Sequence, residues 1–163
     1  MRIGGWRFVV LGAVGLAAAA AVAFVLLSGD RGGLLEPENA QVVARGKAIY
    51  LGYCAACHGA NLQGQPDWQT PDKDGYLPAP PHDRDGHTWH HADKLLFDIT
   101  KLGMAEGANI KDYRSSMPAF VGVLPDDDIV AVLSYIKSTW PEDILKAHAE
   151  FERAYQLRAE ALR

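Results

Sequence analysis

Tyr53-Cys54-Ala55-Ala56-Cys57-His58-Gly59 is the stretch on which the reading of this chain turns. Cys54 and Cys57 are its only cysteines, and His58 follows the second directly. A Cys-x-x-Cys-His run is the attachment signature of c-type haem. Each thiol adds to one porphyrin vinyl group, and the two-residue gap matches the separation of the vinyls. The adjacent His58 then reaches the iron as one axial ligand. Three other chemistries use such cysteines. A disulfide suits an oxidising compartment, and a thioredoxin-like pair needs a βαβ setting, of which the chain shows no sign. A zinc site needs two more ligands at fitting distances. The histidine immediately after Cys57 is the feature that favours haem.

Gly46-Lys47-x-x-Tyr50 followed by Cys54-Ala55-Ala56-Cys57-His58-Gly59 closely resembles the class I c-type cytochromes. The resemblance extends over roughly Glu38 to Trp140. It implies an all-α domain wrapped around one covalent haem c, working as a one-electron carrier between respiratory or photosynthetic membrane complexes. Both axial sites would be filled, which disfavours substrate chemistry, so the resemblance implies a carrier and not an enzyme.

The same resemblance suggests the remaining site residues. Of three methionines, Met117 sits before Pro118 in a loop and is similar to the class I distal ligand. Pro118 restricts Met117 to extended conformations, and a thioether ligand raises the potential relative to a second histidine. Met104, just after a helix, reads as a packing residue. A proline carbonyl in the family accepts a hydrogen bond from the axial histidine. Ala79-Pro80-Pro81 has that place in the order, and Pro80 is the choice. Trp89 stands where the family often has a tryptophan near a haem propionate.

His82-Asp83-x-Asp85-x-His87-x-x-His90-His91 lies outside the general pattern. Copper or zinc as a second metal could use such histidines, but the spacing matches no closed zinc motif. The favoured reading places His82, His87, His90 and His91 at the haem edge or in structural roles.

Before the haem domain, Arg2 and Arg7 precede an uncharged run from Phe8 to Leu27. Twenty residues make a helix of roughly 30 Å, enough to span a bilayer. A cleaved signal peptide is the alternative, with Ala21-Val22-Ala23 as a candidate site. The apolar run continues past it, which favours an uncleaved anchor over residues 1–27. Small residues at four-residue spacing there (Ala13, Ala17 and Ala21) would let another helix approach. Positive charge ahead of the span keeps the N-terminus cytoplasmic. The haem domain is then expected in a bacterial periplasm, tethered to the inner membrane by residues 28–37.

The whole chain, 163 residues, has a formal net charge of -4. Nucleic acid is therefore not an expected partner. The expected partners are the lipid bilayer and membrane redox complexes that donate and accept electrons.

Helical periodicity predicts a first helix from Glu38 to Tyr53, with Val42, Val43, Gly46, Ile49, Tyr50 and Tyr53 on one stripe. In the family a glycine here crosses the last core helix, which points to Val132 or Tyr135 as its neighbour. Asn61–Asp85 is rich in Pro, Gly and Asp and reads as a long loop, anchored by Trp68 and Tyr76. A second helix covers Asp93–Leu102, burying Leu95, Leu96, Ile99 and Leu102. Gly103–Leu124 reads as a second loop. A third helix starts at Pro125 and its three aspartates, buries Ile129, Leu133, Ile136 and Trp140, and ends at Trp140-Pro141. Residues 141–163 form an amphipathic extension with Ile144, Ala147, Phe151, Tyr155 and Leu162 on its apolar face, and with Glu142 and Lys146 paired. That extension and the short tether support a rival function, a permanent subunit of a larger membrane oxidoreductase. A metal-handling protein using the histidine loop is a second rival, and a peroxidase with an open iron site a third.

Overall fold

Asn39 starts the first helix. Its side-chain oxygen accepts from the amides of Gln41 and Val42, at 3.2 and 3.4 Å, satisfying two of the donors a helix start leaves free. In the computed structural model, which describes residues 33–162, helix α1 therefore runs Ala40–Tyr53, slightly later than periodicity suggests. The region expected as a membrane anchor, 1–27, and half of the tether, 28–32, lie outside the described residues. Among those described, no helix is long and apolar enough to cross a membrane.

The folded unit begins earlier than the tether was expected to end. Leu35 is buried, and the amide of Glu36 donates to Ser134 Oγ at 2.8 Å. After α1 the chain breaks at Cys54 and makes one further turn, α2 (Ala55–His58). A long loop follows, closing with a 3-10 turn over Thr88–His90. Then come α3 (Asp93–Leu102), α4 (Met104–Gly107), α5 (Asp126–Ser138) and α6 (Glu142–Ala161). No strand occurs among the described residues, and the architecture is all-α.

Two element predictions need correction. The loop expected over Gly103–Leu124 opens with a short helix, α4. Gly107 belongs to that turn, where an added Cβ would sit 2.5 Å from the Ile99 Cα. The third helix ends at Ser138, before Trp140, which tucks into the core beyond the helix.

The core forms where α1 crosses α5. Gly46 permits the crossing: an added Cβ would strike the Ala131 carbonyl and lie 2.9 Å from the Tyr135 Cβ. Tyr135 is thus one neighbour, as expected, but Ala131 and not Val132 makes the closest approach. Around the crossing Tyr50, Ile129 and Val132 are fully buried. Each such side chain contributes about 1.5–3 kcal/mol through removal from water. Tyr53, on the predicted stripe, is exposed. It stands at the end of α1 with its ring edge-on to Phe120, 6.4 Å between centroids.

Helix α3 buries Leu96 and Ile99, while Leu95 and Leu102 are half-buried. It also buries Asp93 and Thr100, which the apolar pattern did not mark. In α5 the three aspartates of the first turn face the helix's positive end, and Asp128 pairs with Arg45 of α1 at 2.6 Å. In α6 Ile144 is buried, but Ala147, Phe151, Tyr155 and Leu162 are exposed. His148 replaces them as the deep contact. The Glu142–Lys146 pair is present at 2.8 Å.

Candidate haem-binding site

The Cys-x-x-Cys-His segment is a single turn held at both ends. Tyr50 reaches up from α1 and donates its hydroxyl to the Gly59 carbonyl at 2.7 Å. The His58 carbonyl accepts from the Gly64 amide at 2.8 Å. Cys54 is half-buried and Cys57 exposed, and both thiols are free. Burial, helped by Cys57, pushes the Cys54 thiol up to about 11, so this sulfur is held protonated.

His58 is buried, and its Nδ1 lies 2.9 Å from the Pro80 carbonyl oxygen. A carbonyl can only accept, so Nδ1 carries the proton and Nε2 keeps its lone pair. Burial lowers the proton affinity of the ring, against a smaller opposing pull from Pro80. A neutral imidazole with a fixed tautomer and a free Nε2 is the form that binds a metal.

Gly64 places the Pro80 carbonyl. Its φ is +67°, and an added Cβ would come within 2.7 Å of the Pro80 carbonyl carbon. Only glycine combines that left-handed backbone with so close an approach. The loop is further zipped by Gln65, whose amide donates to Ala79 O while its side chain accepts from Ala79 N. Gly64 escaped sequence reasoning because a glycine in a Pro- and Gly-rich loop looks like ordinary turn chemistry. Trp68 and Tyr76 are half-buried. The tip around Tyr76 is held by Asp72, whose Oδ1 accepts from the amides of Asp74 and Tyr76.

Met117 is half-buried and packs against the core cluster. Its amide donates to Ser115 Oγ at 3.1 Å. Met104 is half-buried at the start of α4. Trp89 packs against the same cluster, but its indole N–H is directed at the Arg84 carbonyl at 3.2 Å. Its ring lies on His90, 3.7 Å between centroids.

The structure divides the histidine cluster. His82 turns inward and stacks on His58. His87 and His90 are exposed and His91 is half-buried, with the His87 ring 5.3 Å from His90 and 4.7 Å from His91. Burial, then mutual repulsion, lowers the proton affinity of His87 and His91. Among the described residues, the carboxylates and histidines that converge with metal-like spacing are Asp93, His148 and Glu152. Asp93 is already paired with a cation, the Lys137 ammonium lying 2.9 and 2.8 Å from its two oxygens.

The donor set fits a covalently held haem. Two free thiols lie one turn apart, a neutral imidazole offers Nε2, and a thioether packs on the same core. Haem would be held by Cys54 and Cys57, with His58 and Met117 as axial ligands. No curated protein and no solved structure matches the chain. A sequence model of the cytochrome c family matches residues 43–140. That span runs from α1 to Trp140 and takes in both helices of the glycine crossing and the whole Cys-x-x-Cys-His turn. The chain therefore belongs to the cytochrome c family, as a class I c-type cytochrome carrying covalent haem c.

Proposed function

We propose that this protein is a membrane-anchored, periplasmic mono-haem carrier that passes single electrons between respiratory or photosynthetic membrane complexes. Haem-based electron transfer follows from the family. The observation that carries the site assignment is the Nδ1–H of His58 on the Pro80 carbonyl, which leaves Nε2 free.

Bound haem supplies a one-electron ferric–ferrous couple. The protein's part is to hold it unchanged through that cycle. Cys54 and Cys57 would hold the haem covalently at the α2 turn. Pro80 fixes the tautomer of His58 and raises its basicity as a ligand. Met117 offers a neutral sulfur that favours the ferrous state. Neither the His58 imidazole nor the Met117 thioether would need to change protonation as the bound group gains or loses an electron, so little would have to reorganise.

The anchor rests on the uncharged run Phe8–Leu27 behind Arg2 and Arg7. From Leu27 to buried Leu35 there are few residues, so the haem domain would stay within about 30 Å of the bilayer. A second reading, a permanent subunit of a larger oxidoreductase, is favoured by the far half of α6. There Leu157 is 67% and Leu162 83% exposed.

Denaturing the protein and extracting with acidified organic solvent tests the site. Haem should remain with the polypeptide, and haem in the organic phase would sink the assignment. Purification in mild detergent tests the setting. A lone haem protein supports the carrier, and stable co-purification with other subunits supports the second reading.

A further inference from the structure

His82 is the most firmly held histidine of its loop. Its ring lies 4.0 Å from that of His58, centroid to centroid, with 22° between their planes. Its Nδ1 is 2.6 Å from Thr88 Oγ1, and Thr88 is itself buried. Its amide donates to the Leu62 carbonyl at 2.8 Å, and its carbonyl accepts from Trp140 Nε1 at 2.8 Å. The edge of Tyr50 closes on it from α1, 6.3 Å away at 72°. The ring is half-buried between these contacts.

An aliphatic side chain would fill this space without the cost of burying a polar ring. The ring found here is instead clamped at its backbone on both sides and at Nδ1. The Cβ–Cγ bond and the Pro80 hydrogen bond at Nδ1 hold one edge of the His58 ring, and its plane can still swing about that edge. A flat ring against its face removes the swing.

We infer that His82 is a positioning residue for His58, its clamped ring fixing the plane in which the His58 imidazole stands. This rests on His58 being the axial ligand. The ligand plane governs how unpaired spin in ferric iron spreads over the haem methyl groups. A polarisable ring against His58 would also favour the extra positive charge that this side chain would carry on ferric iron.

The test uses the full-length, haem-loaded protein and its variants His82→Leu, His82→Phe and Thr88→Val. Proton NMR of the ferric state reads the haem-methyl shift pattern, and a redox titration reads the midpoint potential. His82→Leu should alter the methyl pattern and shift the potential upward. His82→Phe, which keeps an aromatic face but loses the Thr88 hydrogen bond, should move no further than Thr88→Val. Thr88→Val, which frees Nδ1, should move partway toward the leucine variant. A folded, low-spin His82→Leu with the parent's pattern and potential overturns the inference. So does a phenylalanine variant displaced as far as the leucine one. If His82→Leu does not fold, an unchanged Thr88→Val overturns it instead. Parent protein without hyperfine-shifted imidazole resonances would show that His58 is not the ligand, and both readings fall together. Parent resonances present but variants unmoved remove only the role of His82.

Discussion

At Gly46 the missing side chain is what lets α1 touch α5. The obstacle to a Cβ is the Ala131 carbonyl, a backbone atom in the middle of a helix, which cannot rotate aside. Gly46→Ala should therefore push the helices apart and cost about 1–3 kcal/mol, read as a lower urea midpoint with an unchanged slope. The two methionines make a sharper pair. Met117 packs on the core and is the proposed second ligand, whereas Met104 opens α4. Met117→Ala should abolish the long-wavelength ferric iron–thioether absorption band and admit added ligands such as imidazole. Met104→Ala should keep the band and lose some stability. The reverse result would exchange their roles. Cys54, Cys57, His58 and Pro80 were legible beforehand because covalent spacing and chain order constrain them. Gly64 and Thr88 were not, because their work is done on neighbours brought in from elsewhere in the loop.

Among the elements, α6 departs most from its sequence pattern. Counting apolar residues found the helix but misplaced its buried face. The contacts that dock it follow Ile144, His148 and Glu152, four residues apart, and two of the three are polar. Glu152 Oε2 accepts from the Asp93 amide at 3.0 Å, capping α3 where Ala92 has no side chain able to do so. Asp93 and His148 are each 1% exposed. Polar burial of this kind is invisible to hydrophobic periodicity, since it depends on partners supplied by α3 and α5. Lys137→Met leaves the Asp93 carboxylate buried without its cation and should cost about 3–5 kcal/mol, measured by chemical denaturation. His148 faces Asp93, Lys137, Glu152, the His91 carbonyl and the Trp140 ring. Burial and then Lys137 lower its proton affinity, outweighing the carboxylates and the His91 carbonyl. Its folded value is thus below the unfolded value near 6.5. Its contribution is complete above that pH. Below it the unfolded chain takes up a proton that the folded site refuses, and stability falls with acid until the folded value is passed. His148→Gln should flatten that part of the stability–pH curve relative to the parent.

For the whole molecule, an acidic haem domain with no dense basic patch in its sequence favours partners that do not present acidic docking faces. The N-terminal run makes a separate prediction. Mass spectrometry of the native chain should find Phe8–Leu27 retained, and a mature N-terminus near Phe24 would remove the anchor. The crossing of α1 and α5 has a consequence for how the protein is made. Its halves stand at opposite ends of the domain, with the entire Cys-x-x-Cys-His segment and both long loops between them. Closing so large a loop is entropically costly and slow. During synthesis, therefore, the two thiols emerge well before α5 exists to dock on α1. The thiol pair is complete before the core on which Cys54 packs can close. Order of emergence thus provides a window for ligation, and tightening the crossing too early would close it.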